Sequence, residues 1–527
     1  MVSAHVKSPR LADKILSRRH LLRLAGVAGA VGMSRRIARL GSVEPAKAAA
    51  PRVGGTFKMA WASSPRTLDP ALALQLDEHM ITRSIYDNLT RIDEKLQPQP
   101  ELATRWTSDQ QARTWSFNLR QGVKFHHGRE LSARDVVFTF ERILDPKTAS
   151  PARTQIGPIE KVEAVDSYTV RFILSTPFAD LPVTLGGPSG RILPADRADL
   201  IKSGPSGTGP FRLAEFLPGD RTRMVRFKNY WDQGRPYLDE LWQVNIPQYA
   251  TQVAALSGGD VQLMFELPVS FIPSVENNTN VAVLEVKSPA FQPVEMRTDQ
   301  KPFNDNRVRL AMKYLVDRPG IIKSIWQGRA AVANDTTVPP INPFWVQTSP
   351  QHTYDVAKAK ALLGEAGYSS GLTLELWTSA ERAGMQELAV AVQQMVAPAG
   401  VKVDIRTVPF SVWVATVWAK KPFFCDNWSG RPTIDETLYS YFHTRGAWNQ
   451  GQFSNTQIDK LLEDGRAQTD FRKRKDIYAR AQQSISEEGH MLVAYHSNYV
   501  SAMRRAVRGY TVHPLRWSDF RWTYLEA

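Results

Sequence analysis

The chain has 527 residues, 43% of them apolar and 22% charged, a globular composition with room for two to four domains at roughly 100–200 residues each. One cysteine, Cys425, excludes an internal disulfide framework and a cysteine-built metal site. The net charge of +14 raises nucleic acid as a partner. However, residues 1–48 hold ten Lys/Arg against two Asp/Glu, which leaves only +6 on the remaining 479 residues, a mildly basic body.

The first feature along the chain is Ser17-Arg18-Arg19-His20-Leu21-Leu22-Arg23, followed by an Ala/Gly-rich apolar run from Leu24 to Met33 and small residues around Ala46-Lys47-Ala48. Basic, apolar, then small is the order of an export signal, and the paired Arg18 and Arg19 match the twin-arginine motif. About 20 apolar residues are needed to span a bilayer as a helix. The run is too short for that, and Arg35, Arg36 and Arg39 behind it disfavour the general secretion route. Residues 1–48 are therefore expected to be a signal peptide and the mature protein to be periplasmic.

Strands are expected where apolar residues alternate: Trp115, Phe117 and Leu119, then Tyr168, Val170, Phe172 and Leu174. Ser132 with Asp135 three positions on predicts a capped helix carrying Val136, Phe140, Ile143 and Leu144 inward, stopped at Asp145-Pro146. A helix near Asp355–Leu363 is followed by a strand Leu372–Trp377. Next come a helix Glu381–Ala397, with Met385, Leu388, Ala389, Val392 and Val396 inward, and a strand Val401–Val408. Strand–helix–strand implies a parallel pair with a crossover. The chain starts β-rich and becomes α/β.

Catalytic and cofactor motifs are missing: no His-Glu-x-x-His, no Gly-x-Ser-x-Gly and no P-loop. Gly204-Pro205-Ser206-Gly207-Thr208-Gly209-Pro210 lacks the Lys-Ser/Thr ending of a phosphate cradle and is expected to be a rigid turn. His126 and His127 point to opposite faces of an extended segment, which does not suit one metal ion. Cys425 is expected to be buried. Nine aromatics between Trp413 and Trp448, interleaved with Lys420, Lys421 and Arg431, suit core packing, an apolar pocket or base stacking. Export argues against the last. No cofactor, metal site or nucleic-acid partner is expected.

Several blocks occur together in order: Gly54-Gly55-Thr56-Phe57, Leu68-Asp69-Pro70, Ile85-Tyr86-Asp87-Asn88-Leu89, Glu101-Leu102-Ala103, Gly122-Val123-Lys124-Phe125-His126-His127-Gly128, Gly207-Thr208-Gly209-Pro210-Phe211, Asn229-Tyr230-Trp231 and Pro302-Phe303-Asn304-Asp305. Lys360 to Tyr368 adds another. Over essentially the whole mature chain this resembles the periplasmic dipeptide/oligopeptide/nickel-binding proteins of ABC importers, the family 5 extracellular solute-binding proteins. The resemblance implies an α/β, two-lobed periplasmic-binding-protein fold (type II, cluster C-like) with an extra β-rich subdomain in the first lobe. It assigns residues 49–290 plus 497–527 to the first lobe and 291–496 to the second, with crossings near Ser288–Phe291 and Tyr495–Asn498. It also implies a monomer that is not an enzyme. Such a protein closes its lobes on a small organic solute, and an ABC permease then reads the closed form.

Peptide-binding members carry Trp-x-Gly-Asp, whose aspartate pairs with the peptide amine. The matching segment here is Trp428-Ser429-Gly430-Arg431, which exchanges an acceptor for a five-donor fork. Asp435 could supply the acid instead, and Arg431 could pair with Asp426 or Asp435. By the same resemblance Arg382 is a candidate for a ligand carboxylate, Ser63 and Ser64 for the ligand backbone, Trp61 and Trp428 for the walls, and Arg297 for a place beyond the first crossing. The expected ligand is a peptide or an acidic peptide-like solute such as an opine or amino-acid conjugate. A nickel or metal-chelate binder is the alternative within the class. A periplasmic chaperone or hydrolase is the alternative outside it.

Overall fold

The structure is a computed structural model and describes residues 51–526; the expected signal peptide, with Arg18 and Arg19, lies outside the described residues. Two large sheets dominate. The first has seven strands in the order Val281–Val286, Tyr499–Arg504, Leu263–Met264, Thr56–Trp61, Glu240–Asn245, Arg221–Arg226 and Phe211–Leu217. The second has six, in the order Ala330–Val332, Met491–Ser497, Phe291–Met296, Phe423–Cys425, Leu372–Thr378 and Val401–Thr407. The chain passes from the first sheet to the second between Val286 and Phe291 and returns between Ser497 and Tyr499.

The expected crossover is present. Leu372–Thr378 and Val401–Thr407 run parallel, with Leu372 opposite Val401. The helix between them covers Met385–Val396 and buries Met385, Leu388, Ala389, Val392 and Val396. It begins four residues later than the periodicity predicts. Gln292 Nε2 donates to the Ala383 carbonyl at 2.6 Å, and Gly384 adopts a φ of +88°. A side chain at 384 would meet Gln292 Oε1 at 2.4 Å. A tertiary contact therefore holds residues 379–384 as a loop.

A third, antiparallel sheet of four strands, Ala103–Ser108, Thr114–Leu119, Thr169–Leu174 and Ile159–Asp166, is covered by the helix Ala133–Leu144. That helix starts in the predicted capping box, with Ser132 and Asp135 exchanging bonds. Trp115, Phe117, Leu119, Val170, Phe172 and Leu174 face inward onto Val136, Phe140 and Ile143. Leu144 is only partly buried against this core.

The blocks that carry the resemblance converge on one buried polar network. Asp87 accepts from Trp231 Nε1 at 2.8 Å, Thr208 Oγ1 at 3.1 Å and the Tyr230 hydroxyl at 3.2 Å. Arg521, from the C-terminal tail, donates to Glu101 at 2.9 Å and to Tyr230 at 2.8 Å. The Gly-rich segment is a close-packed turn: the Gly209 N–H donates to the Ile85 carbonyl at 2.9 Å. A Cβ at Gly207 would sit 2.0 Å from the Ile85 oxygen. His126 and His127 take separate partners, the Gly209 carbonyl at 2.9 Å and the Ser206 hydroxyl at 2.7 Å. Cys425 is buried in the six-stranded sheet.

Candidate functional site

The two large sheets meet where the chain crosses between them. Ser288 Oγ donates to the Ser497 carbonyl at 2.6 Å, and the Ser497 N–H donates to the Ala290 carbonyl at 2.9 Å, so the crossing segments are bonded to each other. Phe291, the first residue past one crossing, pairs its backbone with Trp428 in both directions at 3.0 Å. This pairing brings the Trp428–Arg431 segment to the junction.

Gly430 then makes the turn. Its φ is +79°, and a Cβ there would lie 2.4 Å from the Pro289 carbonyl oxygen. Glycine alone permits so close an approach. The turn lays the Arg431 guanidinium over the Trp448 ring at 4.1 Å, with the Trp428 ring at 5.8 Å. Trp428 also stands edge-on to Tyr441 at 4.9 Å. Among the described residues no carboxylate lies within 4.0 Å of Arg431, so it is paired with neither Asp426 nor Asp435. The nearby Glu436 carboxyl is pushed up to about 7 by burial, against the opposing pull of Arg431.

The opposite wall comes from the seven-stranded side. The Tyr499 hydroxyl donates to the Ser429 carbonyl at 2.7 Å, tying the two walls together two residues from Arg431. The Arg516 guanidinium lies over the Tyr499 ring at 3.9 Å and 3.3 Å from Glu266. Burial raises the Tyr499 phenol's pKa; Arg516 pulls it down, Glu266 raises it, and Arg431 lowers it. Trp61 stacks on Phe265 at 4.3 Å, and Tyr249 stands by Phe271 at 6.0 Å. Arg382 is exposed, lies over Phe410 at 4.1 Å, and is close enough to lower the pKa of Tyr249, which burial raises.

Trp428, Arg431, Trp61 and Arg382 thus line or approach one junction, and the remaining candidates are held elsewhere. Asp435 is buried in an ion pair with Arg466 at 3.0 Å, and burial pushes its carboxyl up to about 6. It is not available to a ligand amine in this arrangement. Arg297 stands past the end of Phe291–Met296 farthest from the crossing, held by Asp299 at 2.7 Å and the Ala419 carbonyl at 2.5 Å. Ser64 accepts from the Gly219 N–H at 2.6 Å, and Ser63 lies near Asp77, whose carboxyl is pushed up by burial. Arg516, Glu266, Tyr499 and Tyr249 were missed as candidates. Arg516 lies 250 positions from Glu266 and carries no local motif; only an aromatic cluster ending at Trp448 pointed to this region.

Two large α/β sheets joined through paired crossings, with aromatics and arginines gathered where they meet, define a two-lobed solute-binding protein. The sequence profile of the bacterial extracellular solute-binding proteins, family 5 (middle region), matches residues 97–450. The chain belongs to this family. It is 28% identical over 465 residues to the glutathione-binding protein GsiB of Escherichia coli K12, covering 85% of this chain and 90% of that protein. Among solved structures it is similar to the periplasmic binding protein DppA of Helicobacter pylori in complex with the peptide STSA, with 27% identity and a TM-score of 0.76 over 90% of this chain and 99% of that one. It is also similar to AgaA of A. tumefaciens R10 in complex with agropinic acid, with 27% identity and a TM-score of 0.75 over the same shares.

Proposed function

We propose that the protein is the substrate-binding subunit of an ABC importer and captures an acidic peptide-like solute, an opine, an amino-acid conjugate or a peptide bearing an extra carboxylate. The observation that carries this reading is Arg431: a guanidinium on two indole rings at the junction of the two sheets, placed there by the Gly430 turn, with no carboxylate within 4.0 Å among the described residues. A carboxylate entering there meets a planar fork of donors, and an ammonium meets repulsion. Relatives named for glutathione and agropinic acid are consistent with such ligands.

Residues 49–290 with 497–527 form the first lobe and 291–496 the second. Ligand contacts to both lobes stabilise the closed form by their differential affinity. The protein works as a monomer without a cofactor and without catalysis. It delivers its solute to a membrane permease after export by the twin-arginine route through Arg18 and Arg19.

A thermal-shift screen of the mature chain, refolded to strip bound solute, tests the ligand class, because a ligand of the native state raises the melting temperature. Acidic solutes shift the wild type, and Arg431→Asp moves the preference toward free-amine peptides. An unchanged preference in Arg431→Asp would refute the assignment. A shift with nickel–histidine alone would favour the metal-chelate reading instead.

A further inference from the structure

The junction between the sheets holds a second charged feature, and both it and Arg431 lie near Tyr499. Arg516 comes from the C-terminal segment that returns to the seven-stranded side, and its guanidinium lies 3.3 Å from Glu266. A second contact, from Nη2 to Glu266 Oε1, is 3.4 Å long, and both exceed the roughly 2.7–2.9 Å usual for charge-assisted bonds. Glu266 is half exposed, with 49% of its side chain open, although Phe265 and Leu267 on either side are buried. Arg516 itself is held in the left-handed region, with φ +59°. For a residue with a Cβ this costs about 1–2 kcal/mol, and such strain is kept where the surroundings enforce it. Here the Arg516 N–H donates to the His513 carbonyl at 2.8 Å in a backbone turn; the Tyr499 ring carries the guanidinium, and the Tyr499 hydroxyl is bonded to Ser429, two residues before Arg431.

One wall therefore presents a cation and an anion side by side, and the other presents cations, Arg431 with the exposed Arg382 nearby. A bare anion would be recognised by Arg431 and Arg516 without any use for Glu266. A simple cation would find only Glu266. The ligand chemistry that uses all three groups has an α-amino-acid end, with carboxylate and ammonium on one carbon, and a second anionic group farther along.

We propose that Arg516 and Glu266 bind the zwitterionic amino-acid end of the solute, carboxylate to Arg516 and ammonium to Glu266, while Arg431 across the hinge binds a second carboxylate. This rests on the solute-binding reading above and narrows its ligand class. It makes Arg516 and Glu266 specificity-determining residues that no local motif marks. It also gives closure a chemical trigger, because the two ends of one ligand satisfy charges on opposite walls, and only the closed form brings those walls together.

The test is calorimetric titration of the stripped mature chain with S-methylglutathione, which has both a γ-glutamyl amino-acid end and a distal carboxylate. Its N-acetyl derivative, its C-terminal amide and trialanine serve as matched probes. The expected result is a three-way match. Glu266→Gln weakens S-methylglutathione by about tenfold or more and leaves the N-acetyl form unaffected. Arg431→Gln weakens the acid and leaves the C-terminal amide unaffected. Arg516→Gln weakens all γ-glutamyl probes. Circular dichroism and melting of each variant establish that it is folded, and Arg516→Lys, which keeps the charge, restores part of the binding.

If S-methylglutathione binds and only Arg431→Gln matters, the amino-acid end is placed elsewhere and this inference falls. If trialanine or nickel–histidine binds and no γ-glutamyl probe does, the ligand class is wrong although the protein still binds solutes. If no probe binds, the inference falls; a broader thermal-shift screen then decides the solute-binding reading separately.

Discussion

Asp180 and Arg474 join two parts of the molecule that have separate cores. Asp180 immediately precedes the short helix Leu181–Thr184 beside the core of the four-stranded sheet. Arg474 lies on the helix Phe471–Glu488, against the aromatic core that includes Phe344 and Tyr478. Their ion pair spans 2.6 Å with side chains only 5% and 7% exposed. Two further bonds reinforce it: the Ala179 N–H donates to the Arg466 carbonyl at 2.9 Å and the Asp435 N–H to Asp180 at 3.3 Å. If these contacts form on closure, they latch the closed state independently of the ligand. Asp180→Asn keeps the shape and leaves the Arg474 charge desolvated, with only the Gly465 carbonyl at 2.9 Å and Tyr478 as partners. Truncating one member of a buried charged pair costs about 2–5 kcal/mol. The charge-only change to asparagine falls at the lower end, about 2 kcal/mol, or about 30-fold in dissociation constant. The full factor appears only when the ligand-free protein is mostly open. Calorimetry with any solute that binds the wild type reads the affinity, and small-angle scattering of the stripped protein reads the opening. Asp180→Asn combined with Arg474→Gln removes both charges and recovers part of the loss. If Asp180→Asn binds within twofold of wild type and scatters identically, the latch is not part of closure.

Further outcomes follow from buried groups elsewhere. Asp335 is fully buried against Arg318 at 2.7 Å and His352 at 2.6 Å, so Asp335→Ala leaves an uncompensated charge and costs about 3–5 kcal/mol, read as a lowered Tm. Burial raises the Asp335 carboxyl, but Arg318 and His352 hold it below 3.8 overall; its stabilisation is present above that value and lost as the pH falls through the folded one. Asp426 has the opposite sign. Burial without a cation partner pushes it from 3.8 up to about 7, so its cost is absent well below 3.8 and full above about 7. Asp426→Asn should therefore raise the Tm more at pH 8 than at pH 5, by about 2 kcal/mol in stability; an equal effect at both would refute the burial argument. Gly430→Ala meets both a φ of +79° and the Pro289 oxygen at 2.4 Å, so it should weaken solute binding more than Arg431→Lys does. Cys425 is buried and its thiol is raised by burial; it should react with a thiol reagent only in denaturant.

Local chemistry was legible along the chain. The Ser132–Asp135 capping box, the inward stripe from Met385 to Val396 and the alternating faces of Thr114–Leu119 and Thr169–Leu174 all formed as their spacing requires. These patterns involve neighbours two to four positions apart, where chain geometry alone decides which side chains share a face. The ordered blocks also identified the family, because Asp87, Glu101, Thr208, Tyr230 and Trp231 build one buried network. Arg431 was visible for the same reason: it occupies a motif position.

The partners of the charged side chains were decided only by the tertiary structure. Asp435 looked free beside Arg431 in sequence, but Arg466 from another helix occupies it. Arg297 followed the first crossing yet stands past the far end of its strand, on Asp299. Arg516 and Glu266 are separated by 250 positions and face each other across 3.3 Å. A charge acts on whatever lies within a few ångströms, and residue spacing carries no information about that distance once the chain has crossed twice between sheets.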